Sequence, residues 1–222
     1  AFGGTGQRCM AISVAVCVGE DTADQLIEHL LPKIDELKLS ADNNQQADMG
    51  PLIDQIAVNR VNTILGEAKE QGAQLVRDGR DYAMLPAKGC YVGPSLVDKV
   101  TNSMSCYQQE IFGPVLSLVR VKELDDAIAL ANAHMYGNGA CIFTESGAAA
   151  NRFSNKVEAG MVGVNVPLPV PMAFHSFGGW KQSLFGDLHA YGPDGVRFYT
   201  KRKTITQRWL KQTGHSTAFG QL

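Results

Sequence analysis

The chain has 222 residues, of which 45% are hydrophobic and 19% are charged, and its formal net charge is −2. This composition is typical of a folded protein with a hydrophobic core and excludes a mainly disordered or collagen-like chain. There is no excess of positive charge to favour nucleic acid or an anionic membrane surface as a partner. No apolar run reaches the roughly 18–20 residues of a membrane-spanning helix. The five cysteines contain no CxxC pair, which favours a reducing compartment.

The first part of the chain alternates a strand pattern with two helical patterns. A β-branched, apolar run over 11–18 predicts a buried strand. Thr22 to Gln25 has the spacing of a capping box, and Pro32 is expected to kink or split the helix that follows. Asp54 is expected to cap a second helix, and Gly72 to end it. The apolar stripe of this second helix consists of Ala57, Val61, Ile64, Leu65 and Ala68.

The same alternation of strands and helices continues through the rest of the chain. In order, the patterns predict strands over 73–76, 91–97 and 115–121, a helix over 124–131, a strand over 140–143, a helix over 148–157 and a strand over 161–166. Such alternation is typical of an α/β fold, a mainly parallel sheet with helices on both faces. The sequence therefore predicts a three-layer α/β/α architecture.

The last part of the chain breaks the pattern. Residues 201–209 are charged and β-branched with no helix after them, which predicts an edge strand or a strand that pairs with another subunit. Residues 210–222 have little apolar periodicity, which predicts a flexible tail.

A glycine-rich run from Phe2 to Cys9 directly precedes the first predicted strand. Glycines allow a ligand to approach the backbone closely and leave N–H groups exposed to it. A thiol at the end of such a loop can attack a carbonyl carbon while backbone N–H groups stabilise the oxyanion. The alternative is that Cys9 is a small buried hydrophobe, as many free cysteines are.

A second motif, from Gln109 to Val115, combines a carboxylate and an aromatic ring with a Gly-Pro turn. If the segment is a strand, Glu110 and Phe112 point the same way. The carboxylate can then accept hydrogen bonds from two ribose hydroxyls while the ring packs on a flat heterocycle. The alternative is a solvent-facing carboxylate beside a core phenylalanine.

A third segment, residues 165–181, carries alternating prolines and then a Phe-Gly-Gly turn. Alternating prolines keep a chain extended. The segment can form the wall of a pocket or a rigid surface loop.

Together these motifs resemble the aldehyde dehydrogenase superfamily. FGGTGQRC is similar to its active-site cysteine motif and QEIFGPV to its nicotinamide-ribose motif, and GMVGVN, SFGGWKQS and YTKRKTIT follow in the family's order. The resemblance covers about residues 1–209. GQRCMA, YGNGACIFT and NVPLPVP resemble the CoA-acylating branch, as does the replacement of the usual Gly-x-Gly-Arg-Glu by Leu184 to Asp187. That branch oxidises malonate and methylmalonate semialdehydes with NAD, loses carbon dioxide and forms acetyl-CoA or propanoyl-CoA.

The resemblance assigns roles to particular residues. It implies that Cys9 is the nucleophile, that Glu110 binds the nicotinamide ribose, and that Phe112 lies beside that ribose and the nicotinamide ring. It also implies a homo-oligomer in which Lys203–Thr206 pair across subunits, with NAD as cofactor and CoA as co-substrate. Arg8 is predicted to bind the semialdehyde carboxylate, because a guanidinium offers a planar, permanently charged fork. The alternative for Arg8 is a surface ion pair.

The resemblance also predicts the domain organisation. Residues 1–198 are expected to form the catalytic domain, 199–209 an oligomerisation strand and 210–222 a flexible tail. No glycine fingerprint of a Rossmann fold is present, so the dinucleotide-binding domain is expected to lie upstream, outside this chain, and the isolated chain is expected to be inactive. The histidines show no metal-binding spacing. The expected location is the bacterial cytoplasm or, in a eukaryote, the mitochondrial matrix.

Three other functions remain open from the sequence. The first is a non-acylating aldehyde dehydrogenase that forms a carboxylic acid. The second is a cysteine hydrolase or acyltransferase without a redox cofactor, which needs a histidine to serve the thiol. The third is a non-catalytic oligomerisation fragment.

Overall fold

A four-stranded sheet forms the centre of the computed structural model, which describes residues 1–40, 46–83, 85–86 and 88–209. In chain order its strands are Val14–Val18 (β1), Gln74–Arg77 (β2), Ser95–Asp98 (β3) and Val115–Val121 (β4). In space their order is β1-β4-β3-β2. Strands β1 and β3 run parallel to β4, whereas β2 is an antiparallel strand at the edge. The predicted mainly parallel sheet is confirmed.

Helices cover both faces of this sheet. Leu118 packs in an apolar cluster with helix α1 (Glu20–Asp35) on one face. Its neighbour Val119 packs in a second cluster with α2 (Gln55–Glu70) and the short α3 (Ser105–Gln108) on the other face. Successive residues of a strand point to opposite faces, so the apolar strand β4 supplies both clusters. The result is the predicted three-layer arrangement.

Helix α1 begins earlier than its capping pattern predicts and is not split by its proline. It starts at Glu20, after Gly19 at φ 91°, so Thr22 lies inside the first turn, where its hydroxyl donates to the last carbonyl of β1. Pro32 lies close to the end of the helix, and the N–H of Glu36 donates to its carbonyl. The predicted split is wrong because few residues follow Pro32 and the packing of the last turn on the sheet outweighs one lost hydrogen bond.

Helix α2 forms as its sequence predicts. The Asp54 side chain caps it by accepting a hydrogen bond from the N–H of Ala57 at 2.8 Å. At the other end Gly72 has φ 98°, and its N–H donates to the carbonyl of Lys69. All the predicted stripe residues are buried, namely Ala57, Val61, Ile64, Leu65 and Ala68.

A second group of elements follows β4. It comprises the helices Leu124–Ala133 (α4) and Gly147–Lys156 (α5), the antiparallel pair Tyr136–Gly137 (β5) and Trp180–Lys181 (β8), and the parallel pair Gly139–Ile142 (β6) and Met161–Val164 (β7). Ile128 of α4 and Phe153 of α5 share an apolar cluster. The predicted strands and helices of this region are present, with ends that differ by a few residues.

The C-terminal region departs most from the prediction. The sequence pattern missed helix α6 (Gly192–Tyr199), because its two glycines are weak helix formers and its apolar side chains are exposed. Residues 201–209 are exposed and belong to no strand of the described chain, so the predicted strand does not form within this chain. Its pairing across subunits stays a prediction, and the predicted tail at 210–222 lies outside the described residues.

No helix in the described ranges is both long enough and apolar enough to span a membrane.

Arg120 connects the sheet to α1 through a group of ion pairs. Its guanidinium, with 14% of the side chain exposed, lies 2.7 Å from the carboxylate of Asp98, whose side chain is 3% exposed. It also contacts Glu20 and Asp24 on α1, at 2.7 and 2.8 Å. Burial raises the pKa of Asp98, but hydrogen bonds from Arg120 and from the backbone of Lys99 outweigh it and hold that pKa below its usual value.

Replacing Asp98 by Asn is therefore expected to lower the free energy of unfolding by about 3 kcal/mol at pH 7, since Arg120 loses its buried partner. A carboxylate with a lowered pKa stabilises the fold at a pH above its unfolded pKa, about 3.9, and this contribution is lost as the pH falls through the lower folded value. Urea unfolding between pH 2 and 7 measures both effects. Asp125→Asn, which removes an exposed partner of Arg152, serves as the control and should have little effect.

Candidate active site

The glycine-rich loop before Cys9 is a tight turn attached to the segment at 50–53. Residues Gly3–Gly6 form a 3-10 turn, within which Gly4 and Thr5 have φ values of 60° and 58°. Thr5 is buried, and its hydroxyl donates to the carbonyl of Gly50 at 3.0 Å. The side-chain oxygen of Gln7 accepts a hydrogen bond from the N–H of Ile53 at 3.0 Å. The side chains of Thr5 and Gln7 therefore both fix the loop that leads to the thiol.

The same loop packs directly on the second predicted motif. A Cβ placed on Gly6 would lie 2.0 Å from the carbonyl oxygen of Gly113 and 3.0 Å from the nitrogen of Pro114, so only glycine fits at this contact. Gly113 in turn is packed against Val61 of α2, where a Cβ would lie 2.4 Å from the valine methyl. The structure thus brings together the cysteine loop and the Glu110 loop, which are distant in the sequence.

Cys9 differs in exposure from the other cysteines. All five lie in described parts of the chain, and Cys9 is the exposed one. Burial raises the pKa of the Cys17 and Cys106 thiols, and that of Cys141, which keeps these groups protonated and unreactive. The alternative interpretation of Cys9 as a small buried hydrophobe is therefore wrong.

Arg8 is exposed next to the nucleophile candidate and extends back over the glycine loop. Its Nε lies 2.6 Å from the position that a Cβ on Gly4 would occupy. Among the described residues it forms none of the ion pairs. The surface ion pair considered as an alternative is thus absent from the described chain, and the charge of Arg8 is available for an anion.

Glu110 and Phe112 lie in a loop before β4 and not in a strand. Glu110 is exposed, Ile111 is 1% exposed and Phe112 is half-buried. Phe112 has φ 53°, a left-handed conformation, so the alternation of a strand does not apply to this segment. The segment is not a strand, so the expectation that strand geometry aligns the two side chains is wrong. Ile111 is the residue that the loop buries, and Glu110 and Phe112 on either side of it stay accessible.

The proline-rich segment passes beside the residues that follow Cys9. A Cβ on Gly139, at the start of β6, would meet the Cε of Met10 at 2.7 Å and the Cγ of Pro169 at 3.2 Å. The side chain of Asn138 donates a hydrogen bond to the carbonyl of Cys9 at 3.1 Å. This contact was not predicted, because no sequence pattern marked Asn138 as a residue of the site.

The described residues fit part of an NAD molecule. The exposed carboxylate of Glu110 makes none of the hydrogen bonds or ion pairs found in the described ranges, and a free carboxylate of this kind can accept two ribose hydroxyls. The half-buried ring of Phe112 can contact the nicotinamide ribose on its accessible side. In the part of the chain that is described, no three histidine, cysteine or acidic side chains form a group that could hold a metal ion.

The sheet with helices on both faces and the glycine loop ending in an exposed thiol define the class of this protein. The chain belongs to the aldehyde dehydrogenase family, whose model matches residues 1–205.

Individual relatives narrow the comparison. The chain is 57% identical over 219 residues to a malonate-semialdehyde dehydrogenase of Pseudomonas aeruginosa, covering 98% of this chain and 44% of the relative. A solved methylmalonate-semialdehyde dehydrogenase of Oceanimonas doudoroffii is 53% identical with a TM-score of 0.92, covering 95% of this chain and 43% of that one. A homologue from Sinorhizobium meliloti 1021, solved with NAD, is 48% identical with a TM-score of 0.91, covering 96% and 43%. The chain thus spans less than half the length of these relatives.

Because Gly6 is packed against Gly113, we expect an alanine substitution at Gly6 to have a larger effect than one at Gly3 in the same loop. Gly6→Ala forces the loop away from Gly113, so we expect the free energy of unfolding to fall by about 1–3 kcal/mol, the usual range for overpacking. It should also change the rate at which iodoacetamide labels Cys9. Gly3→Ala is the matched control, because a Cβ there would meet no atom within 4 Å. Equal effects of the two substitutions in urea unfolding and in labelling would contradict this account of the loop.

Proposed function

We propose that this chain is the thiol-bearing part of an NAD-dependent, CoA-acylating dehydrogenase of malonate or methylmalonate semialdehyde. The observation that carries the proposal is an exposed thiol at the end of a rigid glycine loop, with the unpaired guanidinium of Arg8 adjacent to it in the chain. The names of the relatives from Pseudomonas aeruginosa and Oceanimonas doudoroffii support the substrate class. A semialdehyde of this class carries both a carbonyl for the thiol and a carboxylate for the guanidinium.

Oxidation begins with attack by Cys9. The thiolate adds to the aldehyde carbon, and the carbonyl oxygen becomes a tetrahedral oxyanion that the N–H of Cys9 stabilises. Arg8 binds the substrate carboxylate through two parallel hydrogen bonds and so sets the position of the carbonyl. Once the hydride has left the tetrahedral carbon, the acyl group remains on Cys9 as a thioester.

Glu110 and Phe112 form this chain's part of the cofactor site. Glu110 accepts hydrogen bonds from the nicotinamide ribose, and Phe112 packs beside the ribose and ring. NAD, when bound, supplies the hydride acceptor. The remaining NAD contacts belong to the part of the full-length enzyme that this chain does not represent.

The acyl group then passes to CoA. The CoA thiolate attacks the thioester carbon and Cys9 leaves as a thiolate, so no external oxidant is needed in this half of the reaction. The carboxylate β to the acyl carbonyl leaves as carbon dioxide, because the thioester accepts the electron pair as an enolate that is then protonated. Detection of an acyl-CoA product, in place of the free acid, distinguishes this branch from a non-acylating dehydrogenase.

A cysteine hydrolase has less support in the structure. In the described chain, the hydrogen bonds of Cys9 involve its carbonyl and none joins its sulfur to a histidine, whereas such an enzyme needs a base beside the thiol.

We further propose that Lys203–Thr206 form a strand that pairs with another subunit of a homo-oligomer, since this exposed segment is in no strand of the described chain. An acyl-CoA product and free thiols both fit the cytoplasm or, in a eukaryote, the mitochondrial matrix.

Arg8→Leu tests the substrate proposal in the full-length enzyme. Loss of a charge-assisted pair should lower kcat/KM for malonate semialdehyde by about ten- to a hundredfold, mainly through KM, and should leave kcat/KM for propanal almost unchanged. Arg8→Lys should recover part of the loss, because a point charge cannot reproduce the bidentate geometry. Arg60→Leu, at an exposed position on α2, is the control for loss of a surface charge. Equal losses for both aldehydes would refute a carboxylate-binding role.

Glu110→Gln tests the cofactor assignment. The substitution keeps the shape but removes the charge that strengthens the ribose hydrogen bonds, so kcat/KM for NAD should fall by about tenfold or more while the thermal midpoint is unchanged. Glu70→Gln, at the exposed end of α2, provides the matched comparison. If NAD kinetics of the two variants coincide, Glu110 is a solvent-facing carboxylate without a role in binding.

A further inference from the structure

The side chain of Asn138 reaches the peptide of the nucleophile itself. Its Nδ2 donates to the carbonyl oxygen of Cys9 at 3.1 Å and lies 3.2 Å from the sulfur of Met10. The side chain of Asn138 thus binds the backbone oxygen of Cys9, although that oxygen is close enough to the surface to bind water. An exposed carbonyl needs no protein partner for stability, which indicates that the contact serves the geometry of the loop.

The carbonyl that Asn138 contacts belongs to the movable peptide of a turn. The N–H of Ala11 donates to the carbonyl of Arg8 at 3.0 Å, so Cys9 and Met10 are the central residues of a four-residue turn. The peptide between the central residues is the unit whose orientation differs between the two common turn types. The Asn138 amide donates to the Cys9 carbonyl in the orientation seen here, and a flip of the Cys9–Met10 peptide would turn that oxygen away and break the hydrogen bond.

Asn138 is itself held by the surrounding backbone. Its carbonyl accepts a hydrogen bond from the N–H of Met161 at 3.2 Å, where β6 and β7 begin to pair. The carbonyl of the preceding Gly137 accepts one from the N–H of Gly160 at 2.9 Å. The following Gly139 leaves room for the end of Met10, which a Cβ would meet at 2.7 Å. A side chain fixed at the start of a strand is a more precise support than one on a free loop.

We propose that Asn138 is a positioning residue for Cys9, which fixes the orientation of the Cys9–Met10 peptide and thereby the electrostatic surroundings of the thiolate. The inference rests on the proposed function in one respect, that Cys9 is the nucleophile. With the carbonyl oxygen directed at Asn138, its partial negative charge is offset by a donor bound to the nucleophile's own peptide. Without the donor, that peptide can reorient and the ionised thiol loses a defined environment.

The test compares Asn138→Leu and Asn138→Asp in the full-length enzyme. Alkylation of Cys9 by iodoacetamide is followed by peptide mass spectrometry as a function of pH, a readout that requires no aldehyde, NAD or CoA. The same substitutions at Asn151 are the controls, since this exposed residue of α5 pairs with Asn155 on its own helix. Thermal midpoints are recorded for all variants.

Asn138→Leu removes the donor without adding charge, so alkylation at pH 7 should slow by about three- to tenfold, the effect of one hydrogen bond. The value of kcat should fall with it while KM for NAD is unchanged. Asn138→Asp keeps the shape but places a negative charge beside the carbonyl oxygen of Cys9, so alkylation of Cys9 should also reach half of its maximum at a higher pH. The Asn151 variants should match the wild type.

Wild-type alkylation in Asn138→Leu overturns the proposal, and so does equal slowing in the Asn151 variants. If the leucine variant is unstable, the isosteric Asn138→Asp decides, because a wild-type rate and pH profile in that variant overturn the proposal as well. Failure of the proposed function has a separate signature, namely semialdehyde oxidation that survives Cys9→Ser.

Discussion

The close approach of two glycines, Gly6 and Gly113, is the constraint on which the site depends. A Cβ on Gly6 would overlap the carbonyl of Gly113, and a Cβ on Gly113 would overlap Val61 of α2, so neither position accepts a larger residue without movement of its neighbours. Gly6 has φ 70°, so the turn and the contact both require the same residue type. The thiol loop and the Glu110 loop consequently form one rigid unit, although neither motif carries the information needed to locate the other.

The groups that stabilise the fold and the groups assigned to chemistry are separated. Arg120, the carboxylates around it and the two apolar clusters lie within and around the four-stranded sheet, where ion pairs and side chains are partly or fully buried. Cys9, Arg8 and Glu110 are exposed at loops. Stability is thus provided by the layers, and the loops can present reactive groups without contributing much to the core.

The elements that sequence predicted well are those with strong local signals. Helix α2 has a capping aspartate, a complete apolar stripe and a terminal glycine, and β4 is apolar on both faces because helices cover both. Pro32 and Thr22 misled because tertiary packing of α1 outweighed a local preference. Helix α6 escaped notice because its glycines weaken the pattern and its apolar residues are not buried.

The candidate site shows the same division. Cys9 and Glu110 stand in motifs with recognisable composition, so their types and neighbours were sufficient to single them out. Asn138 was not predicted because its partner is a backbone carbonyl, a group that every residue possesses and that leaves no trace in the sequence. Only the fold, which pairs β6 with β7 beside the cysteine turn, reveals that this amide has a defined target.

At Phe112 an aromatic side chain is combined with a left-handed backbone conformation, which destabilises the loop. A residue with a Cβ pays about 1–2 kcal/mol for φ 53°, whereas glycine adopts this conformation freely. The loop therefore retains an aromatic side chain at a position where the backbone alone would favour glycine. Glycine at this position would relieve the strain but remove the ring, so backbone stability and the presence of an aromatic side chain cannot both be optimised at Phe112.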